Sequence, residues 1–207
     1  MRDYILMKMR LSILMLAVLC LSYVVGCNDV DEIVETQRTN IERYLTSTHS
    51  PRLVSAEQAE QDGSRDFYDV FELNTYRYIA TLYDEGRDQR TFIDYGDEIS
   101  LSLTAYTFTG SVPRAEAVYF TNEEAMITRL AELGLNTEYW TTDPVLIKLG
   151  DTNIIKGVEQ SLIGCCEGDR VEVYMTLETG YESEAIGIVP TNSSLVWIFT
   201  ITSVVKD

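Results

Sequence analysis

The segment from residue 154 to residue 199 constrains the fold of this chain more than any other. Residues 154–163 begin with two isoleucines and continue as a short helical pattern, and residues 164–170 form a glycine-containing acidic turn. Apolar side chains alternate over residues 171–177 and again over residues 195–199. A period of two is typical of half-buried strands, so this segment is predicted to hold one short helix followed by two strands.

Other parts of the chain carry the same kinds of element. Ile99, Leu101 and Leu103 alternate with polar residues and predict another half-buried strand. Residues 67–82 predict one or two further strands, whereas the polar residues 56–66 predict a loop. Short strands and isolated helices without a βαβ rhythm favour an α+β fold with an antiparallel sheet.

Two more helices are predicted. Residues 121–124 have the spacing of a capping box, and Met126, Leu130 and Leu133 follow at helical intervals. Near the N-terminus, apolar residues on one face predict a helix over about residues 31–47.

The helix at 154–163, the pair Gly180-Tyr181, the triplet Ile188-Val189-Pro190 and the strand behind them resemble, in order and spacing, the FKBP-type peptidyl-prolyl cis-trans isomerases. The resemblance covers about residues 96–205. It implies an FKBP-like curved antiparallel β-sheet wrapped over a short helix, with an N-terminal helical extension and an inserted helix.

Isomerisation of an X-Pro bond is slow because amide resonance must be broken. An isomerase needs an apolar pocket that holds proline, excludes water and favours the twisted amide over the planar one. It needs no nucleophile, so we expect no cofactor and no metal. The expected partners are proline-containing polypeptides.

The resemblance implies roles for ten residues of the pocket. Those placed in the catalytic set are Tyr181, Ile155, Phe120 and Trp197. Those placed in the substrate-binding set are Leu103, Val145, Ile154, Val158, Ile188 and Val189. In the family, the backbone N–H at the position of Ile155 and the hydroxyl at the position of Tyr181 bind a ligand. Periodicity alone favours core positions for Ile154, Ile155, Ile188, Val189 and Trp197. Their joint order along the chain, which matches the family, favours the pocket instead.

The predicted pocket departs from the family's pattern. Val158 stands where the family usually has a tryptophan, Leu103 replaces a tyrosine, and Val145 replaces a phenylalanine. About a dozen extra residues, within an insertion over about 121–143, lie before Val145. The helix of this insertion, over residues 122–134, is predicted to pack its Met126, Leu130 and Leu133 face beside the pocket. Because aromatic side chains dominate such contacts, proline binding is expected to be weaker. Trp197, where the family has phenylalanine, is predicted to fill the space left by Val158 and to form the pocket floor.

The N-terminus predicts export. Residues 1–26 combine a basic start with a short apolar run and read as a signal peptide. Val24-Val25-Gly26-Cys27 resembles a bacterial lipobox, which implies lipidation of Cys27; the alternative is an ordinary signal peptide with an incidental cysteine. The expected location is the bacterial envelope, with the protein lipid-anchored at the outer membrane on its periplasmic or surface face.

The predicted mature chain, from Cys27, divides into a tether and extension over 27–94 and an FKBP-like domain over 95–207. It keeps 13 basic and 32 acidic residues, a formal charge of −19. Nucleic-acid binding requires lysine and arginine on phosphates, so no nucleic-acid partner is expected.

Two other groups of residues could carry chemistry, but each also has a plain structural role. His49 precedes Ser50-Pro51 and would need an orienting acid to act as a catalytic base. Cys166 could be a redox thiol, but the acids at 167 and 169 should raise its pKa, and a turn residue beside a buried Cys165 fits better. Adjacent cysteines bridge only in strained geometry, so a disulfide is not expected.

Three functions remain open on the sequence. The first is prolyl isomerisation or folding assistance for exported proteins. The second is a non-catalytic FKBP-like module that binds a peptide or partner, which the pocket departures favour. The third is a structural envelope protein, which the presence of Ile155 and Tyr181 disfavours.

Overall fold

The structure is a computed structural model that describes residues 29–151 and 154–207. The predicted signal peptide and the lipidation site at Cys27 lie outside the described residues. The chain divides into two compact units, residues 1–36 and residues 37–207. In the first unit, residues 29–36 are helical.

The described elements alternate between short helices and strands. The helices are α1 (residues 29–47), α2 (Ala56–Asp62), α3 (Glu124–Glu132) and α4 (Lys156–Leu162). The strands are β1 (Val54–Ser55), β2 (Phe67–Phe71), β3 (Thr75–Ile79), β4 (Glu98–Phe108), β5 (Val118–Thr121), β6 (Val145–Lys148), β7 (Arg170–Met175) and β8 (Ser194–Val205). Single 3-10 turns cover Arg87–Gln89 and Ala115–Ala117.

All eight strands join one sheet in the order β1-β2-β3-β7-β8-β4-β5, and β6 pairs with β4 beside β5. Only the short β1–β2 pair is parallel, and the other pairs are antiparallel. The sheet is curved and unclosed, which confirms the α+β prediction. Because β3 pairs with β7, the strands predicted for the N-terminal extension lie in the same sheet as the strands beyond residue 95.

Alternate residues of the sheet enter two separate cores, as a period of two requires. The helix-side core contains mainly Ile99, Leu101, Leu103 and Ala105 of β4, Val171, Val173 and Met175 of β7, Leu195, Trp197, Phe199 and Ile201 of β8, and Val158 and Leu162 of α4. The tyrosine-side core contains Ile41, Tyr44, Leu45, Leu53, Tyr68, Tyr76, Tyr106, Phe108, Val118, Leu130, Tyr174 and Val196. The sheet therefore has a covered layer on each face.

Helix α4 approaches the sheet unusually closely at Gly157. A Cβ atom at this position would lie 2.6 Å from Cγ and Sδ of Met175 in β7. The Gly157 N–H also donates to the carbonyl oxygen of Thr179 at 3.0 Å. The missing side chain therefore lets the helix pack Val158 and Leu162, both fully buried, directly onto the sheet.

Residues 56–66 are not the predicted loop, because α2 occupies most of them. The Ser55 hydroxyl accepts a hydrogen bond from the Gln58 N–H at 3.2 Å, and Gly63 ends the helix at φ 73°. These are the usual N-cap and C-cap arrangements of a short helix. The capping serine lies just before residues 56–66, so the polar composition of those residues alone did not indicate a helix.

The capping box predicted at residues 121–124 does not form. Thr121 belongs to β5, where its hydroxyl donates to the Leu103 carbonyl at 3.0 Å and accepts from the Glu123 N–H at 3.1 Å. Helix α3 begins at Glu124, without a side-chain cap. The threonine is held by the sheet, so it cannot cap the helix.

Candidate functional site

A large apolar cavity opens at the edge of the sheet. Its volume is about 960 Å³, and we call it the larger cavity. Its walls come from β5, from the residues between β5 and β6, and from the loop after β7. The main lining residues are Val118, Tyr119, Phe120, Leu130, Leu133, Leu135, Trp140, Val145, Tyr181, Ile186, Ile188 and Trp197. Among the described residues that line it, Glu116 alone is charged.

A smaller cavity of about 220 Å³ lies beside it, next to the start of α4. Ile154 and Ile155 line this smaller cavity together with residues of β6. Val145, Tyr181 and Trp197 line both cavities. These three residues therefore mark the place where the two cavities adjoin.

Trp197 is fixed by a neighbour that the sequence did not single out. Its indole N–H donates to the Tyr119 hydroxyl at 2.6 Å, and the Tyr119 ring lies 6.0 Å from the Tyr181 ring in an edge-to-face arrangement. Burial, with a further contribution from Tyr181, raises the pKa of Tyr119 above its usual range, so the hydroxyl stays neutral. The indole has its polar atom satisfied and offers the cavities an apolar ring.

The family of the chain follows from its sequence over this region. A family model described as FKBP-type peptidyl-prolyl cis-trans isomerase matches residues 96–202. The chain belongs to this family. The match includes β4 to β7, α4, most of β8 and both cavities, which agrees with the FKBP-like fold predicted from the sequence.

Among solved structures, the crystal structure of FkpA from Escherichia coli is similar to this chain, with 13% sequence identity and a TM-score of 0.45. The similarity covers 72% of this chain and 56% of FkpA, so this chain spans little more than half the length of that protein. No curated protein sequence matches this chain.

Seven of the ten pocket residues implied by the FKBP resemblance line a cavity. Tyr181, Trp197 and Val145 line both cavities. Phe120 and Ile188 line the larger cavity, and Ile154 and Ile155 line the smaller one.

The other three residues, Leu103, Val158 and Val189, line neither cavity. Each is at most 1% exposed and belongs to the helix-side core. The core alternative therefore fits them better than substrate contact, because their side chains have no accessible surface. Trp197, which is 9% exposed, belongs to the same core as Val158 and presents its ring to the cavities above it.

The FKBP resemblance did not predict most of the outer wall of the larger cavity. The sequence predicts that Met126, Leu130 and Leu133 pack beside the pocket, and Leu130 and Leu133 do line the larger cavity, whereas Met126 does not. No sequence pattern indicates Leu135 or Trp140. Trp140 stacks on Phe120 with ring centroids 6.4 Å apart and an interplanar angle of 21°. A non-periodic loop gives no pattern from which such a contact could be read.

His49 does not serve either cavity. It is 5% exposed, belongs to the layer next to the tyrosine-side core, and its Nε2 lies 2.9 Å from Oε2 of Glu172. The rings of Tyr44 and Tyr78 contact it edge-on. An acid partner exists, but His49 lines neither the larger nor the smaller cavity, so the structural role is favoured.

The adjacent cysteines are free and buried. Burial raises the pKa of the Cys165 thiol to about 12. Burial, followed by the charge of Asp169, raises the pKa of Cys166 as well. Thiols held protonated in this way are poor nucleophiles, so the predicted turn and core roles fit them.

Within residues 29–151 and 154–207, no group of histidine, cysteine, aspartate or glutamate side chains is arranged to hold a metal ion. In the same part of the chain, no helix has the length and apolarity needed to cross a membrane.

Proposed function

We propose that this protein is a peptidyl-prolyl cis-trans isomerase that acts on X-Pro bonds of exported proteins in a bacterial envelope. Membership of the FKBP-type family supports the reaction class. The observation that carries the proposal is the meeting of Val145, Tyr181 and Trp197 where two apolar cavities adjoin.

The proline would bind between these three residues, against the face of the Trp197 ring. The hydrogen bond from Trp197 to Tyr119 holds that ring in place. Apolar walls remove water from the X-Pro amide. The planar amide is the more polar resonance form, so loss of its hydration raises its free energy relative to the twisted state.

Tyr181 would add a hydrogen bond at one edge of the site. Its hydroxyl is the group that the FKBP resemblance assigns to hydrogen bonding with the ligand. The rotation barrier of a peptide bond is about 18–20 kcal/mol. An enzyme lowers such a barrier only through contacts that are stronger in the twisted state than in the planar one.

The test is the isomerisation rate of short X-Pro peptides with the purified protein from residue 28 onward. Wild type should accelerate the reaction. Tyr181→Phe should lower kcat/KM by about threefold to tenfold, the value of one neutral hydrogen bond. Tyr83→Phe is the matched control, because Tyr83 is 51% exposed and lines neither cavity. A wild-type rate equal to the uncatalysed rate would overturn the proposal.

The second candidate function is peptide binding without catalysis. It is favoured by Val158, which is fully buried where the family usually has a pocket tryptophan. The exchange Trp197→Phe with Val158→Trp makes the pair family-like and moves the indole ring from β8 to α4. A double variant that folds and isomerises faster than wild type would support the isomerase. One that folds without accelerating the reaction would favour the binding module.

We also propose that the protein is anchored by lipid on Cys27. The support is the sequence alone, in which Val24 to Cys27 closes an apolar run. Several acyl chains anchor a protein firmly, whereas one binds marginally. Cys27→Ser should move the protein from the membrane fraction to the soluble fraction. A variant that fractionates like wild type would contradict lipid anchoring.

A further inference from the structure

The residues between β5 and β6, 122–144, form the outer wall of the larger cavity, and we call them the inserted segment. Leu130, Leu133, Leu135 and Trp140 of this segment line the cavity. Leu130 is only 4% exposed and belongs to the tyrosine-side core. The wall is therefore anchored to the folded domain.

The larger cavity exceeds the needs of one proline ring. At about 960 Å³ it lies near the upper end of the range of about 300–1,000 Å³ for pockets that bury drug-sized ligands. The smaller cavity beside it is about 220 Å³. Room therefore remains for at least one more side chain once a proline is seated at Val145, Tyr181 and Trp197.

Apolar side chains at the mouth of the larger cavity are left in solvent. Leu133 is 47% exposed, Leu135 46% and Phe120 39%, and Ile188 on the facing loop is 72% exposed. Apolar surface gathered around one concavity, unlike single scattered residues, is typical of a binding surface. The occupant that covers it must itself be apolar.

The charges around the cavity narrow the choice of occupant. Residues 115–145 contain six acidic residues and one basic residue, and residues 181–189 contain two acidic residues and no basic one. Such a rim repels anionic lipid headgroups and acidic peptides, and it attracts basic groups. A second copy of this chain, with its formal charge of −17, is disfavoured for the same reason.

We propose that the inserted segment forms a second subsite, which binds a large apolar side chain of the same polypeptide whose proline occupies the first subsite. The substrate is then a polypeptide with a proline, an aromatic or leucine-sized residue near it in sequence, and neutral or basic flanks. This inference rests on the proposed function for the first subsite and assigns its substrate class. Leu133 and Leu135 are the specificity-determining residues.

The test uses fluorescent peptides of equal length with lysine flanks, one Ala-Pro bond and alanine elsewhere. In each peptide a single phenylalanine stands from two to five residues before or after the proline; adjacent positions are avoided because their side chains share the proline subsite. The best position should bind about tenfold or more tightly than the peptide without phenylalanine, as expected for burial of one large apolar side chain.

The variant Leu133→Gln with Leu135→Gln should remove most of that gain and leave the dissociation constant of the phenylalanine-free peptide unchanged. Substitutions at exposed positions rarely unfold a protein. The matched control is Val70→Gln with Leu73→Gln, at 54% and 41% exposure and outside both cavities, which should keep the full gain.

The subsite is refuted if no phenylalanine position binds more tightly, if the double variant keeps the gain, or if the control loses it. It is also refuted if the double variant instead dissociates a dimer of the peptide-free protein, or instead abolishes binding to neutral lipid vesicles. The two proposals fail separately: a phenylalanine gain without faster isomerisation refutes the isomerase, whereas faster isomerisation without a gain refutes the subsite.

Discussion

On one face of the sheet the core is mostly aliphatic and borders open cavities at Trp197. On the other face the core is rich in tyrosine and is covered by residues 37–53, and it reaches the larger cavity at its edge, through Val118 and Leu130. The sheet is the same for both, because alternate residues of β4, β7 and β8 supply the two cores. The difference lies in what covers each face.

The tyrosine side is closed by specific polar contacts. Glu172 accepts a hydrogen bond from the Tyr174 hydroxyl at 2.6 Å and pairs with His49, and the Tyr76 hydroxyl donates to Glu42 at 2.9 Å. Gln37 accepts from the Leu177 N–H and donates to the Asn192 carbonyl, both at 2.8 Å. A buried tyrosine hydroxyl needs a partner. Residues 37–53 supply Glu42 to Tyr76 and His49 to the Glu172 carboxylate that accepts from Tyr174.

The helix side is held by shape. Its members are largely aliphatic, and Gly157 lets α4 reach the sheet. Apolar packing tolerates volume-conserving changes. Where no helix or loop covers this face, its apolar side chains are exposed to solvent. We infer that the closed face stabilises the domain and that the open face supplies binding.

The largest effect is expected from Trp197→Ala, which removes the ring that lines both cavities on the open face. Loss of the ring enlarges the cavities and leaves the Tyr119 hydroxyl without its donor, so the free energy of unfolding should fall by about 3–5 kcal/mol. Trp140→Ala is the matched control, because Trp140 lies in the outer wall and is half-buried. Chemical denaturation measures both. Equal losses would mean that the floor is no more structural than the wall.

The second prediction concerns the approach of α4. Gly157→Ala places a methyl group against Met175, and overpacking of this kind costs about 1–3 kcal/mol. The helix should move outward, so isomerisation should slow along with the loss of stability. Gly110→Ala is a poor comparison because φ is positive there, at 81°; Ser64→Ala, at an intermediate-exposure loop position, is the better control. A melting curve identical to wild type would show that Met175 adapts without cost.

How far the sequence predicts these features depends on the range of the interaction. The alternation Val171-Glu172-Val173-Tyr174 gives a strand and two faces, and local periodicity suffices for that. The same pattern reads Glu172 as a solvent residue. Its partner His49 is 123 positions away, and no local pattern shows which element will cover a face.

The residues of the candidate site likewise fall into those that the sequence predicts and those that depend on distant packing. The residues whose order the FKBP resemblance supplied, such as Tyr181 and Ile155, do line the cavities. Leu103 and Val158 were placed in the pocket with them, and their depth beneath it depends on the packing of α4. The helical part of the inserted wall, with Leu130 and Leu133, follows from periodicity, but the loop part does not, because an unpatterned loop carries Trp140 to Phe120.

The third prediction concerns the contact between Glu172 and His49 on the closed face. Glu172→Gln keeps an acceptor for Tyr174 but removes the charge that faces His49. The free energy of unfolding should fall by about 1–3 kcal/mol, the usual effect of leaving a buried polar group poorly paired. Isomerisation by the folded protein should be unchanged, because Glu172 lines neither the larger nor the smaller cavity. A slower isomerisation rate in fully folded Glu172→Gln protein would mean that the two faces of the sheet are coupled.

The last and smallest effect is a pH dependence of stability that arises from the pair His49 and Glu172. It is small because the atoms stay in place and only one charge changes. Burial opposes the charged form of His49, but its bonds to Glu172 and to the Pro51 carbonyl outweigh burial, so its pKa lies above the ordinary value of 6.5. Burial likewise opposes the charge of Glu172, yet His49 and Tyr174 hold its pKa below the ordinary 4.5.

A histidine whose pKa is raised by folding stabilises the protein fully below about pH 6.5, and that contribution is lost as the pH rises through the folded pKa. A glutamate whose pKa is lowered contributes above about pH 4.5 and loses its contribution as the pH falls through the folded pKa. The pair should therefore stabilise most between these values. The melting temperature of wild type should exceed that of His49→Gln by more at about pH 5.5 than at about pH 8.5. The difference between the two proteins cancels titrations elsewhere. A difference that stays constant with pH would show that folding leaves the pKa of His49 unshifted, and it would contradict a stabilising charge at this position.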